Sequence, residues 1–323
     1  MKWSQAIQSS PGPRSKREYL ALYAKGFCMG TADLIPGVSG GTIAFISGIY
    51  THFIAALQSL NAKALKELLS CRLKAACAQI HSRFLIALGL GIVSALFLLA
   101  HLMHFLITDH PIPTWAFFFS LIASSIPFLW AKLERPRAWP NIVSLSVGGV
   151  GAYFLTGLIP LETPSHPLFI AFLGFIAITA MILPGISGSF LLLIFGKYEL
   201  ITGALRNPFD WENLFIMAVF SAGALLGLVS ISRLLGRLFK KYPDTMTAFI
   251  TGLLLGSLRK VWPWKETLET VVVRGKERVL KSESFLPELS LETLMAMGVM
   301  IFGVAVIVAL NRQDPHTHVK SSP

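Results

Sequence analysis

The chain has 323 residues, of which 54% are hydrophobic and 14% charged, and its mean hydropathy is +0.63. That balance excludes an ordinary soluble domain, where about a quarter of residues carry charge, and predicts an integral membrane protein. The formal net charge of +11 would suggest nucleic acid in a soluble chain; here it is read as topology through the positive-inside rule, and no nucleic-acid partner is expected.

Residues 1–19 are polar and basic, with Pro11 and Pro13, and lack the apolar core and small-residue cleavage site of a signal peptide. They are expected to be retained as a cytoplasmic segment. GFCMGTADLIPGVSGGTIAFISGIY follows at 26–50, an apolar stretch carrying Asp33 and Pro36. Pro36 removes a backbone donor and disfavours helix at Ile35, so the chain should break at Pro36 and Gly37 and restart with Ser39 as cap. Residues 1–25 hold five Lys or Arg and residues 51–83 hold five more. With both flanks basic, 20–50 is predicted to be a re-entrant hairpin.

Leucines mixed with Lys63, Lys66, Arg72 and Lys74 over 54–82 suit an interfacial amphipathic helix or an equally ordinary solvated one. Uncharged apolar stretches over 84–107, 112–131 and 141–160 approach or reach the ~20 residues that a spanning helix needs. GFIAITAMILPGISGSFLLLIFGKY at 174–198 then aligns with 26–50 at an offset of 148, with 11 of 25 positions identical. Pro-Gly-x-Ser-Gly and Gly-x-Tyr fall in one register, which marks an internal duplication, and a second hairpin is expected over 168–198. Further spans are expected at 213–232, 245–258 and 293–310, with an extramembrane loop at 259–292 and a cytoplasmic tail at 312–323. AFFFSLIASSI (116–126) resembles AFITGLLLGSL (248–258), so 20–160 and 161–311 read as two repeats of a hairpin and three helices.

Segments 108–111 and 161–167 carry no Lys or Arg, whereas 132–140 carry three and 233–244 carry four. Three crossings per repeat then place the second hairpin on the opposite face. The fold class expected is an all-α polytopic membrane protein of two inverted repeats, a plan common among transporters. The loop at 259–292 is predicted outside yet carries seven Lys or Arg, a conflict with the rule; TVVVRGKERVLKS within it suits a β-hairpin.

A broken helix leaves backbone N–H groups unpaired where its second leg begins, with the helix dipole adding positive charge. This predicts an anion site of the Gly40, Gly41 and Thr42 amides with the Ser39 and Thr42 hydroxyls. Gly185, Ser187, Gly188 and Ser189 offer the same after the second break at Pro184 and Gly185. Irregular backbone at membrane depth must line a wet cavity or lie within protein, so the two tips are expected to meet around such a cavity. The alternative is that Pro-Gly-x-Ser-Gly serves close packing by small residues. Asp33 aligns with Met181, Lys25 with Leu173 and Ile49 with Lys197. An ionisable Asp33 at membrane depth suits proton coupling, cation binding or pairing with Lys25; Lys25 and Lys197 are expected near the inner and outer interfaces as anchors or headgroup attractors.

His101 and His104 lack companion ligands, Cys28, Cys71 and Cys77 have no metal-site or disulfide spacing, and neither a metal, a cofactor nor a catalytic residue is expected.

MGTADLIPGVSGGTIAFISGIY and MILPGISGSFLLLIFGKYE resemble the two signature stretches of the bacterial PopT-like family of polyprenyl-phosphate transporters, along essentially the whole chain. The resemblance implies an inner-membrane transporter returning undecaprenyl phosphate to the inner leaflet for cell-wall glycopolymer synthesis. It implicates Asp33, Pro36, Gly37, Ser39, Gly40, Gly41 and Thr42, with Pro184, Gly185, Ser187, Gly188 and Ser189. Members often carry an acidic residue just after the first Gly-x-Tyr, where this chain has His52. A carrier or channel for small soluble anions is the alternative. An undecaprenyl-pyrophosphate phosphatase fits less well, because Gly40 and Gly188 stand where its arginine would be and charge building at phosphorus lacks a stabiliser. Ion coupling and homo-oligomerisation are left open.

Overall fold

The computed structural model describes residues 10–35, 37–70, 72–158, 163–207, 209–273, 276–288 and 290–312. In chain order the helices are α1 (Lys16–Asp33), α2 (Gly40–Ile46), α3 (Tyr50–Ser59), α4 (Ala62–Leu69), α5 (Leu73–Gln79), α6 (Ser82–Asp109), α7 (Pro111–Ala131), α8 (Trp139–Thr156), α9 (Pro167–Ile182), α10 (Gly188–Ile194), α11 (Tyr198–Arg206), α12 (Trp211–Lys241), α13 (Pro243–Ser257) and, after a hairpin of β1 (Lys265–Val273) and β2 (Lys276–Ser284), α14 (Leu291–Arg312).

Four of these helices, α6, α7, α12 and α14, are long and apolar enough to cross a membrane, and the bent pair α10–α11 would make a fifth span if counted as one. A helical, multi-pass membrane protein follows. α8 and α13 overlap the expected stretches 141–160 and 245–258 but fall outside that group. α13 has only 15 residues, and α8 opens on Trp-Pro-Asn, whose Asn141 is buried and donates to the Arg135 carbonyl. α12 outlasts its expected end at 232 by a further nine residues: Arg233 ends the uncharged run, but Leu235 remains buried and carries the helix on.

The single helix expected over 54–82 is three shorter ones. Asn61 breaks it, because its side chain accepts from the Lys63 and Ala64 amides and caps α4 instead of continuing α3. The expected β-hairpin is present: β1 and β2 pair antiparallel, with register shifts around Glu269.

Two compact units divide the chain, and each takes parts of both sequence repeats. One comprises Met1–His101 with Glu162–Pro243, the other Leu102–Leu161 with Asp244–Pro323. In the first unit the duplication recurs as packing. A methyl on Gly26 would lie 2.2 Å from the Leu88 carbonyl oxygen of α6, and one on Gly91 would lie 2.2 Å from that of Tyr23. The aligned Gly174 and its partner Gly223 repeat this contact between α9 and α12, at 2.1 Å from Phe220 and 1.8 Å from Ala171. Glycine at both positions lets each hairpin's first leg touch the following helix backbone to backbone.

In the second unit, α8 and α13 meet through Gly148, Gly252 and Gly256, whose added methyls would fall within 2.3 Å of facing carbonyl oxygens. α7 meets α14 where Gly303 faces Ser120. Helices expected from one repeat thus pair with helices expected from the other. Ala116, Trp264 and Ala296 form a small core there, with Ile112, Trp262 and Met300 packed around it.

Candidate functional site: opposed hairpin tips

Both duplicated stretches fold into the same local object within the first unit. Ser39 and Ser187 each stand in extended backbone before a seven-residue helix. Gly37 and Gly185 precede them with φ of 90° and 86°, a region where a side chain is strained and glycine is not. Each short helix ends alike: the Ile49 amide donates to Ala44 and the Lys197 amide to Leu192, around Gly48 at φ 75° and Gly196 at φ 63°. This is a left-handed glycine cap, used twice. Pro36 lies outside the described residues; Pro184 is fully buried.

The tips meet in direct hydrogen bonds, where a cavity between them is expected from the sequence. The Ser39 hydroxyl donates to the Met181 carbonyl at 3.0 Å, and the Tyr50 hydroxyl to that of Ile182 at 3.2 Å. The Gly185 amide donates to Thr42 Oγ1 at 2.9 Å. Met181 and Ile182 lie in the last turn of α9, whose carbonyls have no intrahelical donor, so the first hairpin's side chains complete the second hairpin's backbone. Ser39 and Thr42 are buried, and Gly41 sits so close that a methyl there would lie 2.7 Å from the Ile182 oxygen.

The expected open amides of the first tip are occupied. Gly40 donates to Asp33 Oδ1 at 2.7 Å, Gly41 to the Ser39 hydroxyl at 3.2 Å, and Thr42 to the Ser39 carbonyl at 2.9 Å. Asp33 therefore caps α2 from the end of α1, and Gly40 must be glycine to admit it, since a methyl would lie 2.6 Å from Oδ2. A carboxylate on a helix-start amide is the contact that a phosphate oxygen would make. Lys25 is not its partner: the Lys25 ammonium donates to the Ser47 carbonyl at 2.8 Å.

The second tip differs. Met181 stands at the Asp33 position, the Ser187 and Ser189 hydroxyls bond each other at 2.8 Å, and among the described residues no acceptor meets the Gly188 or Ser189 amide. Gly188 packs so tightly on α9 that a methyl would lie 2.4 Å from the Ala177 oxygen. Lys197 reaches the Ser165 hydroxyl at 2.9 Å, away from the tip.

At the base of the first hairpin, a cavity of about 600 Å³ is lined by Arg14, Glu18, Lys25, His52 and Phe84 among others. His81 outside the hairpin is held below the usual imidazole range by burial and by the nearby His52. Among the described residues no group of three His, Cys, Asp or Glu side chains is placed to hold a metal. Tyr50 is a contributor that the residue-by-residue reading left out, although its identity with Tyr198 in the alignment was the available signal.

Residues 29–279 match the model of a family described as undecaprenyl phosphate translocase-like. The chain is 39% identical to a Vibrio cholerae protein named polyprenyl-phosphate transporter, over 91% of this chain and 96% of that one. It is 32% identical to a Staphylococcus aureus protein of the same name, over 74% and 84% of the two chains. No solved structure matches. The chain belongs to the undecaprenyl phosphate translocase-like family.

Proposed function

We propose that this protein moves undecaprenyl phosphate from the outer to the inner leaflet of the bacterial cytoplasmic membrane, recycling the lipid carrier of cell-wall glycopolymers. The observation that carries this reading is the meeting of two duplicated hairpin tips, one with its helix-start amide already holding a carboxylate and the other with its amides open. The phosphate binds between Ser39, Gly40, Gly41 and Thr42 on one side and Ser187, Gly188 and Ser189 on the other. The prenyl tail stays in lipid. The two repeats are inverted, and both termini are cytoplasmic, so alternating exposure of the halves carries the headgroup across.

Asp33 supplies the coupling step. Ionised, its carboxylate competes with phosphate for the Gly40 amide; protonated, it leaves that donor to the substrate. A proton and a phosphate then enter together, and the inner-side cavity with Lys25, Arg14 and His52 receives the headgroup. The tail distinguishes this substrate from a small soluble anion, and the intact phosphomonoester distinguishes transport from hydrolysis.

The test is transbilayer movement of undecaprenyl phosphate in proteoliposomes, wild type against Ser39→Ala/Ser187→Ala, with released phosphate recorded in parallel. Movement that requires the serines and releases no phosphate is expected. A folded wild type that moves inorganic phosphate but not the lipid would make it a soluble-anion carrier; phosphate released from a pyrophosphate lipid would make it a phosphatase.

A further inference from the structure

The cations of the 259–292 loop find no place in the hairpin mechanism, and three of them gather in the second unit. The Arg259 guanidinium lies 4.5 Å over the Tyr153 ring and against Gly157 at the end of α8. The Lys265 ammonium lies 5.5 Å from the Trp115 ring centre and donates to the Lys260 carbonyl. Neither Arg259 nor Lys265 forms a salt bridge with a carboxylate among the described residues. Burial holds the Lys265 ammonium down to about 7, and Lys260 and Arg259 push the same way. Burial also lowers Lys260, again with Arg259 beside it. Like charges brought together under partial desolvation destabilise one another unless an anion joins them. Nearby, the buried Trp264 indole N–H has no acceptor among the described residues.

An apolar groove shares a side chain with this cluster. A groove of about 360 Å³ between α8 and α13 is lined by Leu145, Ser146, Val150, Tyr153, Phe154 and Leu255. Tyr153 belongs to both features: it lines the groove, and its ring carries the Arg259 guanidinium. One apolar chain in the groove and one anionic group on the cations is the shape of a single-tailed phosphomonoester. A two-chain phospholipid would leave one acyl chain without a groove.

We propose that Arg259 and Lys265, together with the α8–α13 groove, form a docking site for polyprenyl phosphate in the second unit, separate from the hairpin tips. This rests on the transporter reading above and extends it by giving the substrate a loading station. It also gives the cations of 259–292 a reason to lie on the side that the positive-inside rule disfavours: they bind substrate there and do not orient the chain.

The experiment uses the full chain in nanodiscs and undecaprenyl phosphate bearing a photoreactive diazirine in its prenyl chain, with labelled peptides mapped by mass spectrometry. Labelling is expected on the peptide containing Val150, and competition by unlabelled undecaprenyl phosphate is expected to exceed that by undecaprenol or phosphatidylglycerol. Arg259→Gln/Lys265→Gln should lower it about tenfold, the loss of roughly one charge-assisted hydrogen bond. Arg259→Lys/Lys265→Arg should retain it. Val150→Trp, which fills the groove at a side chain that is 57% exposed and leaves the cations in place, should lower labelling of Tyr153 and Leu255 as well. Equal labelling in the charge-removing variant, or equal competition by phosphatidylglycerol, overturns the docking site while wild-type transport leaves the transporter reading standing. Absence of wild-type transport in proteoliposomes overturns that reading instead.

Discussion

The two hairpins share backbone but differ in how they are satisfied. Both break at a left-handed glycine, restart at a serine and end on a second left-handed glycine. The first closes on itself through Asp33 and lends Ser39, Thr42 and Tyr50 to its neighbour. In the second, the serines turn to each other. Duplication therefore reproduced the scaffold, while substitution at a few aligned positions left one copy self-capped and the other with its helix-start amides open. Asp33 against Met181 is the decisive pair, and Thr42 against Phe190 the next.

Removing the cap is the strongest way to break this difference. Asp33→Ala leaves the Gly40 amide without its acceptor inside a packed tip, a loss of about 1–3 kcal/mol for an unsatisfied buried donor. Intrinsic-fluorescence melting in detergent should show a clear drop. Asp33→Asn retains an acceptor oxygen and should melt close to wild type, yet it cannot take up a proton, so proteoliposome transport should lose its response to a pH gradient. If Ala and Asn melt alike, Asp33 is not acting as a cap.

How much of this was legible in the sequence depended on which interactions are local. Pro-Gly followed by Ser-Gly announces a break and a restart from backbone sterics alone, so both breaks and the duplication could be read directly. The glycines at 26 and 174 were visible as identities, although their packing against α6 and α12 needed the fold. Three things were not legible. Open amides were the natural reading at 40–42, because nothing in the sequence says that Asp33, seven residues earlier, turns back onto Gly40. The exchange of partners between repeats, α7 with α14 and α8 with α13, is a long-range choice that helix periodicity does not encode. Likewise Asn61 reads as a polar residue within an amphipathic stretch until its side chain is seen capping α4.

Giving the second hairpin the first one's cap tests the comparison from the other side. Met181 is 46% exposed, so Met181→Asp can be accommodated without overpacking, and its carboxylate would stand where Asp33 stands in the first copy. It should occupy the Gly188 amide and compete with phosphate, lowering lipid transport about tenfold, as one charge-assisted hydrogen bond would, with melting little changed. Met181→Asn, neutral and of similar size, should lower it less. Equal transport by wild type and Met181→Asp would mean that the open amides of the second tip take no part in holding substrate.

The smallest effect expected concerns the contacts that the first hairpin lends to the second. Thr42→Val removes the acceptor for the Gly185 amide, and Tyr50→Phe removes the donor to the Ile182 carbonyl, each with almost no change in shape. Each should lower stability by about 0.5–1.5 kcal/mol, the net worth of one ordinary hydrogen bond. The two contacts hold neighbouring points of one break, at Ile182 and Gly185, so their effects should not add. A double variant that costs less than the sum indicates one cooperative latch between the tips. Transport separates a latch from mere packing: if the contacts close the tips in one state of a moving protein, weakening them should shift the balance of states and change the rate of lipid movement at saturating substrate. If melting falls and the saturated rate stays fixed, the tips are joined for stability alone, and the asymmetry between the hairpins resides in Asp33.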